Sequence, residues 1–450
     1  MSRRLFTLAP IAAAVLMAPP VWAADHQHDH AGHDHAGHDH STHGHSQHDH
    51  DNHDHGSHDH ATESSHNPLG VDLDISLTLE GIYHNRFSGE EHSPAGFGHG
   101  GHEGHGHDDH GHEGHGHALE DGFNLGHSEV VVQGENHYLN GTAVISLSED
   151  DIALEEAYLS TRQLPANLTL KAGKFLSDVG YMNSQHPHAW DFIERPLVNQ
   201  HILGEHGLLD TGVQLTWAPS AEVQLGGELF QGEGEGFSQF SEGGYEERES
   251  GPRVSTLFAK FQPDIGTGQT LNLGMSAGYN RQFVRVDDHG HHAHTAEGDN
   301  WFAGLDARYQ RDGGQPGVEG DWELGGEYFY TERDLREYVQ HHDHFHSRES
   351  HTEQQDGAYL ETTYGIAPRW EMGLRTEALG MSNRVMGTHP TAIVSEEVSW
   401  RHSGQVTWHL RDDMFVRAQV TQEDYAGEEE SWVGMLQFNA TFGSHAGHNH

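Results

Sequence analysis

Cysteine is missing from all 450 residues. That excludes a disulfide framework and a thiolate metal site, so any metal bound by this chain is bound through nitrogen and oxygen. Basic residues are scarce: 23 Lys and Arg stand against 70 Asp and Glu, for a formal charge of -47. A surface of that sign repels phosphate, which excludes nucleic acid as a partner and makes cations the natural guests. Long apolar runs are absent as well. The stretch at residues 5–17 is too short to span a membrane as a helix. With Arg3 and Arg4 before it and the small-x-small pattern Val21-Trp22-Ala23 after it, residues 1–23 read as a signal peptide. No nucleophile elbow occurs, the acidic stretch Gly232-Glu-Gly-Glu-Gly236 lacks the Lys-Ser/Thr of a phosphate loop, and His201-Ile-Leu-Gly-Glu205-His206 fits neither zinc-protease spacing. No enzyme is expected.

Histidine is what the chain has in excess, 47 in all. Many fall in tracts: residues 26–60, where His26, His28, His30, His33 and His35 begin a His-x-His and His-x-x-His repeat; residues 99–117, with His102, His105, His107, His110 and His112; and the closing His-Asn-His. Imidazole beside carboxylate, without thiolate, is a donor set for divalent cations, zinc foremost, with nickel, copper and cobalt also admitted. Residues 24–66 show no periodicity that could hide an apolar face and are expected to be a disordered metal-binding arm; residues 444–450 form a His-containing tail. Sites in such an arm would be numerous and individually weak, because each binding event must order the chain.

Between them the texture changes. Only 34% of the residues are hydrophobic, yet there are 56 glycines, 9 tryptophans and 13 tyrosines. Segments of roughly ten residues alternate strictly between apolar and polar, the signature of strands facing lipid on one side and a wet lumen on the other. They fall at residues 71–84, 127–137, 141–149, 152–162, 168–175, 209–218, 222–231, 253–263, 270–284, 299–310, 319–332, 356–366, 369–380, 395–410, 414–423 and 431–442. The fold expected for residues 67–443 is therefore an all-β, transmembrane antiparallel β-barrel of about 16 strands in the bacterial outer membrane. Short turns at residues 164–167, 218–220, 367–368 and 411–413 lie on one side of that count. The His-rich connections near residues 85–125, 285–298 and 333–354 lie on the other, taken as external loops.

Charge on the lipid face is costly, so the acidic parity must face inward, and Asp321, Glu323, Glu327, Glu371 and Glu377 are predicted to line an anionic pore. Histidines of the external loops, among them His291, His292, His294, His341, His342 and His344, would concentrate cations at its mouth. The insertion at residues 176–208 carries His186, His188, Asp191, Glu194, His201, Glu205 and His206 beside Trp190 and Phe192. A long loop with apolar anchors can fold into the lumen and bring such groups to the ion path.

Leu154-Glu-Glu-Ala-Tyr158, Leu170-Lys-Ala-Gly-Lys-Phe175, Trp190-Asp-Phe-Ile-Glu-Arg-Pro196 and the run from Gly207 to Leu215 resemble bacterial zinc-regulated outer-membrane proteins, a group often labelled TonB-dependent receptors. The layout is also similar to the phosphate-selective porin superfamily. The first resemblance implies association with zinc and, through its label, coupling to TonB; the second implies a channel. No plug-sized region precedes the first strand, and the expected lumen is acidic where a phosphate porin would be basic. The expectation is a porin-like channel taking up divalent cations, zinc first, in contact with outer-membrane lipid and handing ions to a periplasmic metal-binding protein. The alternatives are a TonB-dependent receptor for zinc or a zinc chelate, and a metal-buffering surface protein.

Overall fold

A computed structural model describes residues 72–94, 97, 119–148, 152–162, 164–288, 293–341, 344–384 and 397–443. The signal peptide, the arm, the His tract at residues 99–117 and the tail lie outside them. The strands are β1 (Asp72–Ser88), β2 (Gly122–Leu125), β3 (Ser128–Glu135), β4 (Leu139–Leu147), β5 (Ile152–Thr161), β6 (Leu168–Leu176), β7 (Leu209–Ser220), β8 (Val223–Phe230) and β9 (Val254–Phe261). The second half adds β10 (Gln269–Asp288), β11 (Ala293–Arg311), β12 (Trp322–His341), β13 (His344–Ala367), β14 (Trp370–Leu379), β15 (Ser399–Arg411), β16 (Met414–Asp424) and β17 (Ser431–Gly443). From β3 onward each pairs antiparallel with its sequence neighbours, and β17 returns to β1 from Ser76 opposite Gly443 to Ser88 opposite Trp432. β2 and β3 both pair with β1 and are two pieces of one wall strand, so the closed barrel has 16 strands. Closure removes the sheet edges, and every wall strand satisfies its backbone through its neighbours, as lipid requires.

The faces follow the alternation. Trp370, Met372 and Leu374 point outward from β14 while Arg375 and Glu377 are buried inside, and in β17 Leu436, Phe438 and Phe442 oppose the buried Gln437 and Asn439. Outward aromatics gather near both ends of the wall. Trp217, Trp322, Tyr364, Trp370 and Trp408 stand near the short turns, and Tyr83, Tyr279, Trp301 and Trp400 lie toward the opposite rim. Amphipathic rings belong at those two interfaces.

Two of the long connections differ from expectation. Residues 285–298 and 333–354 are not loops: β10 pairs with β11 up to Asp288 opposite Ala293, and β12 with β13 up to His341 opposite His344. Alternation continues there beneath the histidines and acids. Phe283, Ala296 and Leu335 form a small buried cluster, and Tyr338 stacks on Tyr245 at 4.3 Å. Cross-strand packing in the first case, and cover from the β8–β9 connection that carries Tyr245 in the second, carry the sheet onward despite the polar composition.

Leu374, 67% exposed on the outer wall, gives a direct test of the face assignment. Leu374→Arg is expected to cost about 2–4 kcal/mol in refolding from urea into lipid, whereas a polar replacement of the inward Thr363 should cost far less.

A candidate metal site between the insertion and the wall

The segment between β6 and β7 folds into the barrel. Its apolar side chains, Val179, Met182, Leu197, Val198, Ile202, Leu203 and Leu208, pack with inward Phe302, Phe329, Tyr359 and Leu379 into a core inside the lumen. Its backbone is held by wall carboxylates. Glu327 accepts from the amides of Tyr181 and Met182 and, at 2.6 Å, from the Asn199 side chain; Glu377 accepts from the Leu197 amide at 2.6 Å. The wall also donates: Arg401 to the Arg195 carbonyl at 2.6 Å and Arg417 to the Trp190 carbonyl at 2.9 Å. These ties reach strands on several sides of the barrel, so the insertion crosses the lumen. Glu327, Glu361, Glu377, Arg375, Arg401 and Gln419 are each at most 3% exposed, which means the insertion fills the lumen at this level.

The pore wall is not simply anionic. The five acids predicted to line it face inward but are engaged. Glu323 pairs with Arg308 and accepts from Gln310, Glu377 pairs with Arg375 and Arg401, and Glu371 accepts from Gln405. Asp321 caps the β11–β12 turn through the Gly313 amide at 2.7 Å. Glu361 bridges Arg308 and Arg375. Counting acids against bases by parity missed this, because the few arginines are concentrated on the inward face of β11 to β16.

The β3–β5 side is different, and two interruptions of alternation make it so. In β2 the inward residues are even-numbered, Gly122 opposite His84 and Asn124 opposite Ile82; in β3 they are odd, Glu129 opposite Thr78. The parity flips across Gly126 and His127. In β5, Leu154 pairs with Ile145 and Glu156 with Val144, leaving Glu155 as an unpaired bulge. A bulge re-aims its neighbours, and both Glu155 and Glu156 come to the lumenal side. The insertion then supplies His186 and His188, flanking and within the one-turn 3-10 helix Pro187–Ala189.

One ligand atom from each of His127, Glu129, Glu155 and His186 lies within 4.8 Å of all the others. His127 Nε2 is 3.4 Å from Glu129 Oε2 and 3.2 Å from Glu155 Oε2, and His186 Nδ1 is 3.3 Å from Glu129 Oε2. These atoms, with both oxygens of Glu129, are buried without a well-directed hydrogen bond. A tetrahedron with bonds of about 2 Å has edges of about 3.3 Å, so these three separations match edges of a four-coordinate zinc site, and the remaining three lie within 4.8 Å. A second layer is in place. Glu156 meets His186 Nε2 at 2.7 Å and would keep a proton there once the ring gives up the one on Nδ1 to an ion; His188 Nδ1 meets the other oxygen of Glu129 at 2.9 Å. Glu156 is itself fixed by the Leu176 amide at 2.9 Å.

Of the residues predicted from sequence on the insertion, only His186 and His188 belong to this cluster. Asp191 pairs with Arg308 at 2.5 Å, Glu194 accepts from Gln419 and Thr421, and His201 packs on Phe97, while Glu205 and His206 lie on the turn before β7. His294 is in β11, and His341 and His344 are backbone partners at the end of the β12–β13 pairing. His26, His28, His30, His33, His35, His102, His105, His107, His110, His112, His291, His292 and His342 lie outside the described residues. The sequence reading missed His127, Glu129, Glu155 and Glu156. The signal was Glu155-Glu156 itself: two adjacent charges in a lipid-embedded strand cannot alternate without one facing lipid, so a bulge was required.

The fold and the site together define a porin-like β-barrel of the bacterial outer membrane. No protein-family model matches the chain. It is similar to an uncharacterized protein of Aquifex aeolicus (strain VF5), with 29% identity over 367 residues, 78% of this chain and 73% of that protein. Among solved structures it is similar to the outer membrane channel DcaP of Acinetobacter baumannii (TM-score 0.49, 10% identity, 83% of this chain and 98% of that one). It is also similar to OmpT of Vibrio cholerae (TM-score 0.48, 10% identity, 83% and 98%).

Burial disfavours a charged imidazole at His186, but the Glu129 and Glu156 carboxylates outweigh it and the metal-free ring is pushed up to about 10. It is therefore protonated below that pH and must lose its proton to bind metal. His127, the other imidazole ligand, is likewise set between two carboxylates, so zinc binding at pH 7.5 is expected to release about two protons, one from each ring, and affinity should fall as pH falls over the whole range below 10. Titration calorimetry in buffers of different ionisation enthalpy measures the release. Glu327→Ala removes three hydrogen bonds to the insertion and should leave the barrel folded while exposing residues 180–200 to protease in lipid.

Proposed function

We propose that this chain is an outer-membrane channel for divalent metal cations, zinc foremost. The observation that carries the reading is the four-ligand cluster of His127, Glu129, Glu155 and His186, set where the lumenal insertion meets the wall: a donor set for a divalent cation inside a channel-type barrel marks such cations as the ions the protein handles, without making the cluster a stop on their path. Its donors are nitrogen and oxygen only, which suits zinc, nickel and cobalt and offers nothing to a soft, thiolate-seeking ion. The acidic chain and its histidine tracts would raise the local concentration of cations around it. The resemblance to zinc-regulated outer-membrane proteins points the same way.

A second reading draws on the filled lumen. A barrel whose insertion is tied to so many strands could require energy to open, as a TonB-coupled receptor does. Uptake of zinc by cells expressing the protein separates the two: a channel works without TonB or the proton-motive force, and a coupled receptor does not. For the first reading, reconstituted protein under a zinc chloride gradient is expected to give a reversal potential of cation-selective sign, and zinc current should exceed phosphate current. Equal currents would remove the reading.

A further inference from the structure

The cluster's ligands come from two bodies. His127, Glu129 and Glu155 belong to the wall, and His186 belongs to the insertion. The outer contacts cross the same boundary in both directions, Glu156 of the wall to His186 and His188 of the insertion to Glu129. An ion here would stitch this end of the insertion to β3 and β5. It would also be hard to dislodge. The Glu129 side chain is 1% exposed and that of Glu155 11%, and four protein ligands leave no open position for exchange. Closed four-ligand sites are retaining sites, whereas an ion in transit needs binding weak enough to leave. Removing the ion leaves Glu129, Glu155 and Glu156 together, with histidines as their only ion-pair partners among the described residues.

From this we propose that the ion at this site is a resident clasp that regulates the channel: zinc occupancy locks the His186–Trp190 turn against the wall and lowers conductance, and loss of zinc frees that turn and raises it. The proposal rests on the metal-site reading above and adds regulation to it. The channel would then open further when zinc is scarce.

The test uses the full chain in planar bilayers, with potassium chloride as the conducted salt and zinc as the only variable. Stripping zinc with EDTA, then washing the chelator out, should raise single-channel conductance by about twofold or more, and returning zinc should restore it. His127→Ala/His186→Ala should hold the stripped conductance with or without zinc. Because the chain has no cysteine, a spin label on the exposed Ala189 (Ala189→Cys) reports the turn without any change to the ligands, and should become mobile on stripping. Zinc retained against a competing chelator separates the two readings. If wild type retains one more zinc than the double variant, yet conductance and label mobility ignore zinc, the clasp is overturned and the site stands. If wild type and variant retain the same zinc, the site itself is overturned.

Discussion

Alternation is the constraint from which the rest of this structure follows. A strand in lipid must send every second side chain to hydrocarbon, and a closed barrel leaves the others no destination but the lumen. Those inward polar side chains would ordinarily be solvated by pore water. Here the insertion displaces that water, so the wall's inward carboxylates and guanidinium groups take backbone amides and carbonyls of the insertion as partners instead. Glu327, Glu377, Arg401 and Arg417 each do so. A buried polar group without such a partner costs about 1–3 kcal/mol, which is why the insertion is tied at so many points.

The site arises where alternation fails. Had β2 and β3 continued in one register, Glu129 would share its parity with Phe123 and Leu125 and point at lipid. Had β5 lacked its bulge, one of Glu155 and Glu156 would do the same. Each interruption shifts a carboxylate across the wall, and His127 sits at one of the two shifts. A local break in pairing is what brings near neighbours such as His127 and Glu129, or Glu155 and Glu156, to the same side of the wall.

Most of the wall was legible because its signal is periodic and repeated. Trp370, Met372 and Leu374 against Arg375 and Glu377 can be read from β14 alone, and the short turns fix which end each strand reaches. The hairpin tips were not legible, since His341, His344 and their acidic neighbours look like loop residues and their strand character depends on partners such as Tyr245 that are distant in sequence. The insertion's position in the lumen could be anticipated from its apolar anchors. Which of its histidines would meet which wall residues could not, because that depends on two register shifts in other strands.

The distribution of arginine sets the β3–β5 sector of the lumen, which is suited to a cation, apart from the β11–β16 side. On the β11–β16 side, Arg308, Arg375 and Arg401 answer Glu323, Glu361 and Glu377, and a divalent ion there would meet charge already balanced and a guanidinium at close range. On the β3–β5 side the ion-pair partners of Glu129, Glu155 and Glu156 among the described residues are all imidazoles. Arginine cannot give up its proton, whereas imidazole can, and in doing so it changes from a counter-ion into a ligand. A carboxylate cluster balanced by histidine is thus balanced by protons when metal is absent and by metal when it is present, so this sector can exchange one for the other without leaving bare charge in a buried place.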